Sequence, residues 1–116
     1  LGFKHPGELP HSWLFTAKKL KMPFTPLDPI LHSQLRLAIV SLLMGVESAE
    51  FSFIKQETDA TQGNLSAQLK KLSEADYVAI EKTFKNNYPN TTVELTPKGR
   101  KAFENYVKDI SGYLGK

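Results

Sequence analysis

The hydrophobic period of this sequence changes abruptly at Asp76, and few folds accommodate such a change. Apolar side chains before Asp76 recur every three or four positions, as on one face of a helix: Leu65, Leu69, Leu72 and Ala75. After Asp76, apolar and polar side chains alternate over residues 77–84 and again over residues 91–95. A polar stretch, Lys85–Asn90, separates these two runs. The sequence therefore predicts a helix followed directly by a β-hairpin.

Capping residues predict where two of the helices begin. Thr61 precedes the helix that ends near Asp76, and a threonine hydroxyl accepts well from the free N–H groups of a first turn. Thr96 is followed by Pro97, which is favoured at the first helical position. The sequence thus predicts a last helix that follows the hairpin and runs toward the C-terminus.

Three further elements are predicted upstream. Asp28 as a cap and Pro29 at the first position predict a helix over residues 30–44, which is apolar around most of its circumference. Such a helix is buried by more than one neighbour. A short extended piece over residues 48–51 and a helix over residues 52–58 complete the predicted order.

Length and composition fit one ordinary globular domain. The chain has 116 residues, 41% of them apolar, and a net charge of +3. The absence of cysteine excludes disulfide scaffolds, thiolate zinc sites and cysteine nucleophiles. No apolar run approaches the roughly 18 to 20 residues of a membrane span. Because five of the seven prolines fall in or directly after residues 1–28, we predict a Pro-rich N-terminal segment (1–28, with one short helix over 9–22) and a domain over 29–116.

The predicted order is helix, short strand, helix, turn, helix, hairpin, helix, which is the layout of a winged helix-turn-helix domain. This is a mostly α fold with a small β-hairpin wing (α+β): a three-helix core plus the N-terminal segment and a C-terminal helix. With Leu65 toward the core and about 100° per residue, the outward face of the third helix begins with small, amide and hydroxyl side chains and then becomes basic.

Such a face suits DNA recognition, because a first turn without bulky side chains can approach base edges in the major groove. Asn64 or Gln62 would pair with adenine there, with lysines beside the phosphates. Taken alone, the same pattern also describes an ordinary surface helix. The predicted DNA-binding residues are Thr61, Gln62, Gly63, Asn64, Ser66, Ala67, Lys70, Lys71, Lys82, Lys85, Asn86 and Asn90.

The stretch from Asp28 to about Val107 resembles the winged-helix transcriptional regulators related to the MarR and ArsR families. The main motif is T-x-G-N-L-x-x-x-L-x-x-L, present here at residues 61–72. Residues 35–39 resemble part of that family's first helix, and residues 91–99 resemble the strand that returns from the wing into the last helix. The resemblance implies a homodimeric transcriptional regulator, in the cytoplasm, that binds an inverted repeat in double-stranded DNA.

Two positions depart from the family's pattern. Asp76 stands where these proteins usually have a glycine, in a left-handed conformation that Asp tolerates at some cost. The wing carries only Lys82 and Lys85 as basic residues near its tip. An arginine contact to the minor groove is therefore not available from this loop, and we expect a small electrostatic contribution from the wing.

The first and last predicted helices carry more apolar surface than one small core needs, which favours a homodimer. The predicted interface residues are Leu31, Leu35, Phe103, Tyr106, Val107, Ile110, Tyr113 and Leu114. In the alternative, both helices close a single monomeric core. An aromatic-lined interface would also have room for a small-molecule effector, although nothing in the sequence selects one.

No catalytic or cofactor motif is present, so we expect neither an enzyme nor a bound cofactor. His5, Glu8 and His11 are of types that a metal uses, but their spacing is not a known ligand pattern, and no metal site is predicted. The expected partners are DNA and a second copy of the chain, without a membrane. The alternative is a winged-helix protein-interaction module without specific DNA binding, which the modest charge and weakly basic wing keep open.

Overall fold

Four helices and a three-stranded antiparallel sheet form residues 24–115, the part of the chain described by the structure, a computed structural model. The elements are α1 (Gln34–Met44), β1 (Ala49–Glu50), α2 (Phe51–Thr58), α3 (Gln62–Glu74), β2 (Val78–Lys85), β3 (Tyr88–Leu95) and α4 (Pro97–Tyr113). Their order confirms the predicted winged-helix fold. The predicted helix over 9–22 and the trio His5, Glu8 and His11 lie outside the described residues.

The core lies between the helices and the base of the β2–β3 hairpin, the wing. Helix α1 packs against α2, α3, α4 and β3, which accounts for its wide apolar circumference within a single chain. The predicted apolar face of α3 is buried at Leu65, Leu69 and Leu72. In the sheet, order β1-β3-β2, Val93 of β3 pairs with Ala49 on one side and with Ile80 on the other.

Helix α1 begins at Gln34, four residues later than predicted. Asp28 does accept from the Ile30 backbone N–H at 2.8 Å, but it caps only a single turn. The backbone N–H of Ser33 then bonds to the Leu31 carbonyl at 2.8 Å, which breaks the helical ladder before α1 starts. The break places Leu31 fully inside the core. The burial of this one leucine therefore contributes more to stability than the continuous helix that Asp28 and Pro29 predict.

Hydrogen bonds of Thr96 and a close contact at Gly99 hold the wing against the end of α3. Asp76 adopts the predicted left-handed conformation, with φ of 63°. The Thr96 hydroxyl donates to the Asp76 carbonyl at 2.7 Å and accepts from the Gly99 backbone N–H at 2.9 Å, which confirms Thr96 as the cap of α4. A Cβ at Gly99 would lie 2.2 Å from the Tyr77 carbonyl oxygen. The sequence Thr-Pro-x-Gly thus fixes where the wing leaves α3.

The strands of the wing extend further than the predicted polar stretch allowed. They continue to Lys85 and restart at Tyr88, so the turn is only Asn86-Asn87, with φ of 53° and 68°. Positive φ at both central residues is the type I′ geometry that joins twisted antiparallel strands, and asparagine tolerates it better than most residues. The wing is therefore a long, tightly closed hairpin.

The N-terminal connector and the end of α4 pack together. The Phe24 and Tyr113 rings meet edge to face at 5.2 Å, and the Tyr113 hydroxyl donates to the Thr25 carbonyl at 2.8 Å. Two residues predicted for a dimer interface, Leu31 and Tyr106, are instead buried inside the single chain. Tyr106 is held there by a 3.1 Å hydrogen bond with His32 Nδ1.

Neither a membrane helix nor a metal cluster occurs in the described residues. No helix within 24–115 combines the length and apolarity needed to cross a bilayer. Over the same residues, no three His, Asp or Glu side chains lie close enough together to hold a metal ion.

Candidate nucleic-acid interface

Helix α3 presents its predicted polar side to solvent. Thr61 caps it, since its hydroxyl oxygen accepts from the Asn64 backbone N–H at 3.2 Å. We use the term outward face of α3 for seven exposed residues: Gln62, Gly63, Asn64, Ser66, Ala67, Lys70 and Lys71. The structure therefore brings together all of the residues that the sequence assigns to α3 as DNA contacts.

The first turn of this face is sterically open. A Cβ built on Gly63 meets no atom within 4 Å. Ser66 and Ala67 add only small side chains one turn later, and both are exposed. The backbone of the first turn can consequently approach a flat or grooved polar surface closely, as a helix in a DNA major groove must.

Asn64 is hydrogen-bonded to Gln68, which is in turn hydrogen-bonded to Arg36. We call these three side chains (Arg36, Gln68 and Asn64) the polar relay. Arg36 Nη1 donates to Gln68 Oε1 at 2.5 Å, and Gln68 Nε2 donates to Asn64 Oδ1 at 3.0 Å. Sequence reasoning missed Arg36 and Gln68. Arg36 lies in the motif of the first helix and Gln68 four residues after Asn64, but their contact spans 32 positions and is visible only in the fold.

A groove of about 530 Å³ separates α3 from the wing. The polar side chains that line it from the helix include Gln62, Ser66, Lys70 and the acidic Glu74, and Lys82 and Thr91 line it from the wing. Strand alternation places Lys82 on the same face of the hairpin as Ile80, whose side chain lines the floor of the groove. The groove therefore places one lysine of the helix and one of the wing on facing walls.

Lys85 differs from Lys82 in its partner and direction. Its side chain points to the opposite face of the hairpin, where Nζ lies 3.1 Å from Glu50 Oε2. An exposed pair of this kind contributes about 0 to 1 kcal/mol to stability. It nonetheless offsets the charge that the sequence assigned to phosphate contact, so Lys85 and Lys82 are not equivalent.

The wing tip, residues 84–89, is aromatic rather than basic. Phe84 is 78% exposed and Tyr88 is 75% exposed, and they lie on opposite faces of the hairpin. Asn86 occupies the exposed turn, while Asn90 is half-buried and accepts from the Thr83 hydroxyl at 3.5 Å through its carbonyl. Asn86 thus lies in the tip and Asn90 lies beyond it on β3, and neither lines the groove between α3 and the wing.

Tyr77, at the junction between α3 and the wing, has a hydroxyl group with a raised pKa. The Tyr77 hydroxyl donates to Asp28 Oδ2. Burial, together with this bond to a carboxylate, raises the pKa of Tyr77 to about 12. The phenol therefore stays protonated, and able to donate to Asp28, throughout the neutral range.

Comparison with known proteins gives a family match over most of the chain. The family model described as a winged helix DNA-binding domain matches residues 35–114. An uncharacterized protein of Methanocaldococcus jannaschii is 40% identical over 81 residues, which cover 70% of this chain and 88% of that protein. Residues 35–114, which the family model matches, include α3, the wing and the three positions of the polar relay.

Two solved structures share the architecture. A transcriptional regulator homologue from Pyrococcus horikoshii superimposes with a TM-score of 0.71 and 25% identity, covering 90% of this chain and 95% of its own. A MarR-family transcriptional regulator from Silicibacter pomeroyi gives a TM-score of 0.58 at 18% identity, covering 72% of this chain and 56% of its own. The second likeness shows the fold alone.

Proposed function

The chain belongs to the winged helix DNA-binding domain family, and from this premise we propose that it is a transcriptional regulator that binds a specific sequence in double-stranded DNA. We place it in the cytoplasm of a bacterium or archaeon, where it acts as a homodimer on an inverted repeat.

One observation carries the proposal, namely the outward face of α3. It combines an uncrowded first turn at Gly63 with an exposed amide at Asn64 and a hydroxyl at Ser66. Amide and hydroxyl groups provide the donors and acceptors that distinguish base pairs in the major groove. Gln62 and Ala67 flank them and complete the base-facing set.

Lysines on both sides of this set are suited to phosphates. Lys70 and Lys71 are exposed one turn or more beyond Asn64, and Lys82 faces Lys70 across the groove. Phosphate contacts orient a protein on the duplex without reading its sequence. Because Lys85 is bound to Glu50, we assign it a smaller share of this attraction.

The exposed apolar end of α4 supports a dimer. Val107, Tyr113 and Leu114 remain on the surface, and Phe24 lies beside Tyr113 at 58% exposure. An interface built there, with Leu35, Phe103 and Ile110 at its edge, would bury side chains that one chain leaves in water. In such a dimer the two copies of α3 would enter successive major grooves about 34 Å apart.

A binding selection from random duplex DNA at about 0.15 M salt, where non-specific attraction is reduced, tests this proposal. We expect enrichment of an inverted repeat and, in light scattering, the mass of two chains. Enrichment of a single half-site with the mass of one chain would contradict the dimer but not DNA recognition. No enrichment would contradict sequence-specific binding.

The exposed aromatic wing tip favours a second candidate, a protein-interaction module. Phe84 and Tyr88 are the kind of side chains that become buried when two proteins associate. The same selection separates the two functions, because an interaction module retains no particular DNA sequence.

A further inference from the structure

The polar relay has a direction that follows from the chemistry of Arg36. A guanidinium has five N–H donors and no acceptor, so Gln68 must turn its carbonyl oxygen toward Arg36. The Gln68 amide nitrogen then points along α3 toward the preceding turn, where it donates to Asn64 Oδ1 at 3.0 Å. The Asn64 oxygen therefore accepts from Gln68, and the Asn64 amide nitrogen, with two N–H donors, remains available on this exposed side chain.

The Arg36 end of the relay is anchored by two backbone carbonyls, which supports this direction. Arg36 Nε donates to the Ile30 carbonyl at 2.6 Å, and Nη2 lies 3.4 Å from the Pro29 carbonyl. These are the carbonyls left free by the break that precedes α1. At the other end, the Thr61 cap holds the backbone of Asn64. Both ends of the relay are consequently fixed by the fold.

We infer that Arg36 and Gln68 are specificity-determining positioning residues, which orient Asn64 as a hydrogen-bond donor toward the DNA. The inference rests on the proposed function. A paired contact to adenine would need both the oxygen and the nitrogen of Asn64 at the base edge, but the relay directs the oxygen toward Gln68. The nitrogen alone selects a base that offers acceptors.

Guanine offers two adjacent acceptors in the major groove, N7 and O6, adenine and thymine offer one each, and cytosine offers the N4 donor. We therefore expect guanine at the base position that Asn64 contacts and exclusion of cytosine from it. A difference of this kind corresponds to about a ten-fold preference. Neither Arg36 nor Gln68 needs to touch DNA for this selection to operate.

Gln68→Glu tests the inference because it reverses the direction of the relay. A carboxylate at position 68 still accepts from Arg36 but cannot donate to Asn64, whose amide must turn and present its nitrogen inward. The Asn64 oxygen then faces the DNA, and the preferred base should change by about ten-fold from guanine to adenine or cytosine, which offer donors. The ratio between bases at one position cancels any uniform loss caused by the added negative charge.

Gln62→Glu is the matched control, since it places the same charge on the same helix without altering the relay. Its effect should be a general loss, or a change at a different base position. Arg36→Lys keeps a donor-only side chain and should preserve the preference for guanine. Arg36→Gln can both donate and accept, so it should flatten the preference. Thermal unfolding of each variant checks that the fold is retained.

Retention of guanine by Gln68→Glu would overturn the inference. A wild-type protein that enriches no sequence would overturn the proposed function and the base selection built on it. NMR on the free protein then tests separately whether the hydrogen bonds of the relay exist. Gln68→Ala should shift the side-chain signals of the Asn64 amide and the Arg36 Nε–H. Unchanged signals would show that the relay does not exist.

Discussion

The outward face of α3 and the wing tip are both exposed, yet they differ in chemistry and in support. The first has small and amide side chains on a capped helix, and the relay connects one of them to Arg36 of α1. The second has two aromatic rings at the end of a two-stranded hairpin, with exposures of 78% and 75%. A supported hydrogen-bonding surface can discriminate base pairs, whereas exposed rings supply contact area. We therefore assign recognition to α3 and only a weak contact to the wing tip.

The largest expected effect comes from Gly99→Ala, which disturbs the position of the wing relative to α3. An added Cβ would lie 2.2 Å from the Tyr77 carbonyl oxygen and 2.8 Å from Leu95 Cδ1. Overpacking of this kind should lower the free energy of unfolding by about 1 to 3 kcal/mol in urea denaturation. Gly45→Ala is the control, because a Cβ there meets no atom within 4 Å. Equal stabilities of the two variants would show that no close approach at Gly99 holds the wing.

Gly63→Ala acts on the outward face of α3 without disturbing the fold. Space around Gly63 is open in the free protein, and alanine favours a helix over glycine by up to about 1 kcal/mol. The melting temperature should therefore stay or rise. The affinity for the selected DNA should fall by about ten-fold, which is about 1.4 kcal/mol, because the added methyl group separates the helix from the groove. Unchanged affinity in a titration would indicate that this turn does not approach DNA.

Lys70→Ala should weaken binding to every sequence alike. Each phosphate contact contributes about 0.9 to the slope of log affinity against log salt concentration, so the slope should become shallower by about one. Lys108→Ala, which removes the same charge from an exposed site on α4, should leave the slope unchanged. A changed base preference in Lys70→Ala would assign the lysine a different role from the one proposed.

The smallest effect is expected from Phe84→Ala at the wing tip. An exposed side chain without packing contributes little, so the free energy of unfolding should stay within about 0.5 kcal/mol of the wild type. Its effect on affinity should be smaller than that of Lys70→Ala in the same titration. A loss as large as that of Gly63→Ala would transfer recognition from the helix to the wing and reverse the comparison.

Most of the fold was predictable because its signals are local. The Thr61 and Thr96 caps act within three residues along the chain, and the change of period at Asp76 reflects the side chains of consecutive turns and strands. The left-handed turn at Asn86-Asn87 was also accessible in principle, since two consecutive asparagines tolerate positive φ. The polar composition of residues 85–90 instead predicts a longer loop than the two-residue turn in the structure.

The features that were not predicted depend on partners distant in sequence. Gln68 meets Arg36 across 32 positions, and Lys85 meets Glu50 across 35. The late start of α1 likewise depends on the burial of Leu31 among residues from other elements. No pattern along the chain reports such pairs, so the sequence located the outward face of α3 but not the relay that supports it.

The claim that α3 recognises base sequence is tested most directly by Asn64→Ala, with its affinity measured against a set of duplexes that vary one base pair at a time. We predict a relaxed preference at a single position, with about 1 to 3 kcal/mol of discrimination lost there, and wild-type preferences at all other positions. A uniform loss over every duplex would contradict the account, because Asn64 would then act as a phosphate contact or a structural residue.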